Sequence, residues 1–311
     1  GGGVAIAPLA RASQVEGPGA FDRETYREAA IEGFDHLQAH NTAYLDDGTE
    51  NVIDDYCALL AATELAAATD DERFRTAARE RAQSLLDRQT SDDRYDGWWR
   101  ADDDDRPFYH ASDEGLPIVA LLRYREVDAD GPLDDAVANA IERFWTFQTT
   151  IGDEVANPFD YPRQYARPVD EDEPRASFFM PHENETGYWW QGENARIASL
   201  ATAAARSRAQ LDAELGERLD QFAQAQLDWI LGSNPFGVCM VHGVGAPEPT
   251  YHRQFRNVPG GVQNGITAGF ENEADIAYCP EPWGDDHAHR WRWAEQWIPH
   301  SAWLFLAVSS L

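Results

Sequence analysis

The sequence predicts an all-α protein, a toroid built of antiparallel helical hairpins. Three observations carry this. Apolar residues recur at helical spacing through the first two thirds of the chain, sustained strand alternation is absent, and long aromatic-rich loops separate the helical pairs. A plain bundle is the competing architecture. Bundles prefer short connections, whereas the loops at 91–111, 151–192 and 232–293 hold most of the Trp, His and Gly residues. Loops of that length in a compact domain usually build a binding site.

The elements follow in order. After Gly1-Gly2-Gly3, the apolar stretch Val4 to Ala10 reads as an opening helix, entered as if in the middle of a domain. Phe21 to Ala43 places Tyr26, Ala30, Ile31, Phe34 and Leu37 on one stripe. Asn51 to Ala68 is an Ala/Leu-rich helix after the turn Asp46-Asp47-Gly48, and Asp70 or Asp71 caps the next, which runs to Arg88. Further helices follow Ser112 and span Leu133 to Thr149, Glu193 to Ser207, Leu211 to Ile230 and Ala294 to Leu311. The total is about nine helices by periodicity.

Composition excludes several functions. Of 311 residues, 55 are acidic and 25 basic, all arginine, for a net charge of −30. Such a surface repels phosphate backbones and anionic membranes. No apolar run reaches the roughly 18 residues of a membrane span. A hydrophobic fraction of 43% excludes disorder. Acid enrichment without lysine reads as adaptation to high salt, which screens self-repulsion. Cys57, Cys239 and Cys279 are too few and too odd for a disulfide framework, and no C-x-x-C pair suggests zinc. With no signal peptide visible, a cytoplasmic location is favoured. The acidic runs Asp102 to Asp105 and Val169 to Pro174 lack EF-hand spacing and read as solvated faces, so no metal or cofactor is expected.

The chemistry concentrates near the C-terminus. In W-I-L-G-S-N-P-F-G-V-C-M-V-H-G-V-G-A-P-E-P-T-Y-H-R, Trp229 to Arg253, a helix stops at Leu231-Gly232 and a Gly/Asn/Pro loop leads to Tyr251-His252-Arg253. This resembles glycoside hydrolase family 9, with Leu231, Gly232, Asn234, Pro235, Gly237, Gly243, Gly245, His252 and Arg253 in place; Tyr251 and Cys239 depart from the usual His and Ser. The family's closing N-E-x-x-I-x-x-x-A is matched by Glu295, Ile298 and Ala302, with Ala294 replacing Asn and His300 replacing Tyr. Asn51 to Leu65, Pro107 to Pro117 and Pro181 to Arg196 resemble an exo-β-glucosaminidase-like subgroup.

The resemblance implies an (α/α)6 barrel, with residues 1–311 forming the C-terminal major part of one catalytic domain. It also implies an inverting hydrolase of β-1,4-linked glucosyl or glucosaminyl chains, with Glu295 as general acid. Cleavage needs a protonated carboxyl beside the leaving oxygen, and the neighbouring Trp291, Trp293 and Trp297 suggest a dry setting for one. A helix N-terminal Glu favoured by the macrodipole is the plainer reading of that residue. The family's D-A-G-D motif, which carries the water-activating Asp, is not found. The base and the remaining helices are therefore expected upstream of Gly1, on the same chain or a separate one. Asp54, Asp55, Asp113 and Glu114 are the internal rivals, though each also suits a helix start.

Sugar binding needs flat aromatic faces and planar polar groups. Candidates are Trp189 and Trp190 beside Tyr188, Tyr109 and His110 with Asp113, the Trp98-Trp99 pair, and Tyr251, His252 and Arg253, the last through its rigid fork of donors. Two other classes stay open: a non-catalytic carbohydrate-binding or partner module, and a helical-toroid polysaccharide lyase using Tyr251-His252-Arg253.

Overall fold

The computed structural model describes all residues except 1, 18, 188, 190 and 246–256, together with the side chains of Asp285 and His287. Ten α-helices, three short 3₁₀ turns and three two-stranded hairpins are found among the described residues. The chain divides into two compact units, residues 1–105 with 117–143, and 106–116 with 144–311.

In the first unit, α1 (Gly2–Ala12), α2 (Arg23–His40), α3 (Val52–Thr69) and α4 (Glu72–Arg88) pack in succession, α1 on α2 and α3, and α3 on α4. Local chemistry sets their ends. Asp22 accepts from the Thr25 amide at 2.8 Å. Asn51 and Asp54 form a capping box at the start of α3. Asp71, rather than Asp70, caps α4; Asp70 ends α3 in a left-handed turn at φ 55°. The loop expected from residue 91 begins instead with a hairpin, β1 (Gln89–Ser91) and β2 (Asp96–Trp99). It buries Trp98 and Trp99, so neither is a sugar-stacking surface. Asp55 is buried and paired with Arg88 at 2.5 Å and Arg81 at 3.3 Å. The unit continues with α5 (Leu116–Val127) and the first half of α6 (Asp134–Asp153).

In the second unit α7 (Asn194–Ser207) is central. Thirteen of its fourteen residues are buried, which its run of alanines permits because neighbours can approach on every side. It packs on α8 (Ala213–Leu231) and α10 (Ile298–Ser310). Asp212 caps α8 and Gly232, at φ 121°, ends it. Tyr161, Phe179, Ile197, Trp229, Ile230, Met240, Val262 and Ile266 form the apolar core. The hairpins β3 (Gln164–Ala166) with β4 (Arg175–Ser177), and β5 (Thr267–Ala268) with β6 (Ile276–Ala277), lie in stretches expected to be plain loop. So does α9 (His287–Ala294). The final helix starts at Ile298, not Ala294. Pro299 explains the difference: inside a helix its ring would clash with the carbonyl four residues earlier, that of Glu295.

No helix among the described residues is long and apolar enough to cross a membrane. Nor does any group of three or more His, Cys, Asp or Glu there suit a metal ion.

The charge has a testable consequence. The 25 arginines cannot neutralise 55 carboxylates, and Asp103 to Asp105 lie exposed side by side. The screening length falls from about 30 Å at 0.01 M salt to about 3 Å at 1 M. The melting midpoint is therefore expected to climb steeply up to about 1 M NaCl, then more slowly as apolar burial strengthens. A midpoint that stays flat from about 0.05 to 2 M would refute salt adaptation.

Candidate active site

Glu295 sits in the break between α9 and α10, on a backbone held from both sides. Two extended segments, 240–242 and 261–265, lie side by side, and the end of α9 with the break after it, 293–296, lies along the other edge of 261–265. His242 N donates to Gly261 O at 3.0 Å and Gln263 N to Met240 O at 3.0 Å. On the other edge Asn264 N donates to Glu295 O at 2.8 Å and Gly265 N to Trp293 O at 2.8 Å. The start of α7 supports the middle segment, with Asn194 Nδ2 donating to Gln263 O at 2.9 Å. Gly265 is required here: its φ is 101°, and a Cβ would lie 2.5 Å from Asn194 Nδ2. Asn257 Nδ2 donates to Ala294 O at 3.0 Å. The Gln296 side chain latches onto Val258 N at 2.7 Å and Gly261 O at 2.9 Å.

The Glu295 carboxyl is half-exposed, so its setting is not the dry enclosure expected. Of the three neighbouring tryptophans, Trp297 meets it: the indole N–H donates to Oε2 at 2.6 Å. Trp293 is in the core, and Trp291 Nε1 donates to Ala288 O at 3.0 Å. One turn into α10, His300 is fully buried, and burial pushes its ring down to about 4, leaving it neutral at physiological pH.

The segment carrying Tyr109, His110 and Asp113 belongs to the same unit. His110 Nδ1 accepts from the Ser112 and Asp113 amides at 3.0 and 2.8 Å, so the ring braces the turn. Burial lowers its proton affinity. Asp113 Oδ1 accepts from Trp303 Nε1 of α10 at 2.8 Å. Tyr109 is half-buried; burial pushes its phenol up to about 12. Neither Asp113 nor Glu114 lies in a helix, since α5 begins only at Leu116. Gly115 lets this segment press on α7, where a Cβ would lie 2.3 Å from Ser199 O.

Beneath it runs a buried polar network. Arg196 donates to Glu114 at 2.7 Å, to Glu193 at 2.7 and 2.9 Å and to Pro162 O at 3.0 Å. Tyr161 and Gln164 donate to Glu193 at 2.6 and 2.8 Å. Burial raises Glu114, against the pull of Arg196. Burial also opposes the Arg196 charge, but Glu193 and Glu114 outweigh it and hold the guanidinium well above its ordinary value. Glu114 is thereby committed to an ion pair.

Trp189 is half-buried, stacked on His182 at 3.5 Å between ring centroids and edge-on to Phe270 at 5.7 Å; Phe270 in turn meets Trp283 at 5.8 Å. Nothing in the residue pattern marks His182, Phe270 or Trp283 as partners of Trp189, or 261–265 as a strap. Tyr251, His252, Arg253, Tyr188 and Trp190 lie outside the described residues.

These elements define an all-α protein of helical hairpins with a carboxylate displayed on a braced interhelical break. The chain belongs to glycosyl hydrolase family 9, whose family model matches residues 7–260. Among solved structures it is similar to endoglucanase CelQ from Clostridium thermocellum complexed with cellotriose (17% identity, TM-score 0.61, covering 99% of this chain and 46% of that one). It is also similar to the cellulase Cel9M of C. cellulolyticum (15%, TM-score 0.55, 99% and 61%) and to a Bacteroides ovatus family 9 structure (18%, TM-score 0.58, 99% and 52%). At these identities the likeness shows the fold, which is the family's (α/α)6 class. The chain spans 46% to 61% of the length of these three structures. No curated protein matches the sequence.

Proposed function

We propose that this chain supplies the general acid of an inverting O-glycosyl hydrolase acting on β-1,4-linked glucosyl or glucosaminyl chains. The observation that carries this reading is Glu295: a solvent-reachable carboxyl whose backbone is fixed on both sides and whose Oε2 is held by Trp297. Family membership supports it, as does the cellotriose bound to CelQ. Trp189, Trp190, Tyr251, His252, Arg253, Tyr109 and Asp113 take the sugar. His110 joins through Nε2, since Nδ1 is committed to its turn. The base is assigned to no residue of this chain: Asp55 and Glu114 are buried in ion pairs, and Asp54 caps α3.

The test is the product. The intact protein, given cellotetraose or the β-1,4 glucosamine tetramer, is expected to release sugar that is first seen as the α-anomer by proton NMR. A β-anomer would mean retention. An unsaturated, ultraviolet-absorbing product would mean a lyase, and binding without any product would mean a carbohydrate-binding module.

A further inference from the structure

We infer that Trp297 is a positioning residue that fixes which oxygen of Glu295 carries the catalytic proton; this rests on Glu295 being the acid. An indole N–H can donate but not accept. At 2.6 Å from Oε2, it therefore makes that oxygen an acceptor in both ionisation states. In the neutral acid the carbonyl oxygen is the better acceptor, so this bond favours Oε2 as the carbonyl and Oε1 as the proton carrier, and it restrains the turning of the carboxyl plane. A donor held in one orientation does not have to find it during the reaction.

The indole can impose this because it is itself held. Its backbone is the N-cap of α10, at φ −119° and ψ 147°. The preceding Gln296 is latched to the 258–261 loop. The ring stands edge-on to the buried His300, 6.1 Å between centroids at 83°. Glu295 N also donates to Trp291 O at 3.3 Å, so both ends of the pair are anchored. Trp297 is 38% exposed and lies outside the buried core, so replacing its indole does not open that core.

Trp297→Phe keeps a ring and deletes the donor. In the intact protein it is expected to lower kcat on the tetrasaccharide about tenfold with KM unchanged, an effect the size of one hydrogen bond to a charged group. On a 2,4-dinitrophenyl β-glycoside of the same sugar it should change nothing, because that phenolate leaves without being protonated. Equal losses on both substrates would mean a merely structural role. A raised KM with unchanged kcat would mean a sugar contact. Either result overturns the inference, as does wild-type behaviour in a background where Glu295→Gln is inactive. If Glu295→Gln stays active, it is the acid assignment that fails.

A second measurement is independent of turnover. The Trp297 indole ¹⁵N–H resonance, identified by its loss in W297F, is expected to titrate with pH in the wild type and not in E295Q. A resonance indifferent to E295Q would show that the two side chains do not meet in solution.

Discussion

Glu295→Gln in the intact protein is expected to lose about 10²–10⁴-fold in turnover of an unactivated tetrasaccharide while binding it as tightly as the wild type. The substitution is nearly isosteric. Gln Oε1 still accepts from Trp297, so the contact at 2.6 Å in the wild type has an equivalent. The bonds that brace the site use the backbone of residues 293–295 and the side chains of Asn257 and Gln296, and do not change. Only the proton is removed, and a sugar alkoxide is too poor a leaving group to depart without one. Steady-state kinetics give the first quantity, and tryptophan fluorescence with the oligosaccharide gives the second. A variant that keeps most of its turnover would take the acid role away from Glu295. A variant that loses binding in parallel would make it a sugar ligand instead.

Glu295 was legible because a short pattern with Ile298 and Ala302 marks it. Pattern alone places it inside the last helix, although a signal against that is present. Pro299 lies four residues on, and a helix cannot carry a proline whose ring faces the i−4 carbonyl. That carbonyl instead accepts from Asn264 N. The strap 261–265 could not have been found by periodicity. It is a single extended segment whose partners are distant in sequence, and its residues are Gly, Val, Gln and Asn rather than groups that advertise chemistry. Trp189 was legible as a loop aromatic. Its stacking on His182 was not, since only tertiary placement brings them together.

The helices with apolar stripes and capping residues were read close to their true bounds. Asn51 with Asp54, Asp71 and Asp212 all act as the cap chemistry requires. What escaped was short or locally ambiguous. In α9, His-Ala-His-Arg-Trp-Arg-Trp-Ala has no apolar stripe of helical period. The hairpin strands run two to four residues, too short for alternation to register. In a loop, Trp98 and Trp99 would suit a binding surface; on a strand with both faces covered they are core.

Arg196→Met should be the most destabilising single change in the second unit. The side chain is fully buried and joins Glu114, Glu193 and the Pro162 carbonyl. Methionine fills a similar volume but leaves two carboxylates buried without their cation. Breaking a buried pair in this way costs about 3–5 kcal/mol. Lysine would not restore it, because one ammonium cannot reproduce the fork that spans two carboxylates. The sign of the pH dependence is also fixed. Burial already raises Glu114 with Arg196 in place. Without the guanidinium the folded-state value rises further, so the folded state binds more protons than the unfolded one. Stability then falls as pH rises. The deficit of the variant in urea melts is therefore expected to be largest at neutral pH and to shrink towards pH 5, and Glu114→Gln should recover part of it. If Arg196→Met unfolds within about 1 kcal/mol of the wild type at neutral pH, the carboxylates reach water in the native state and the network is not a buried one.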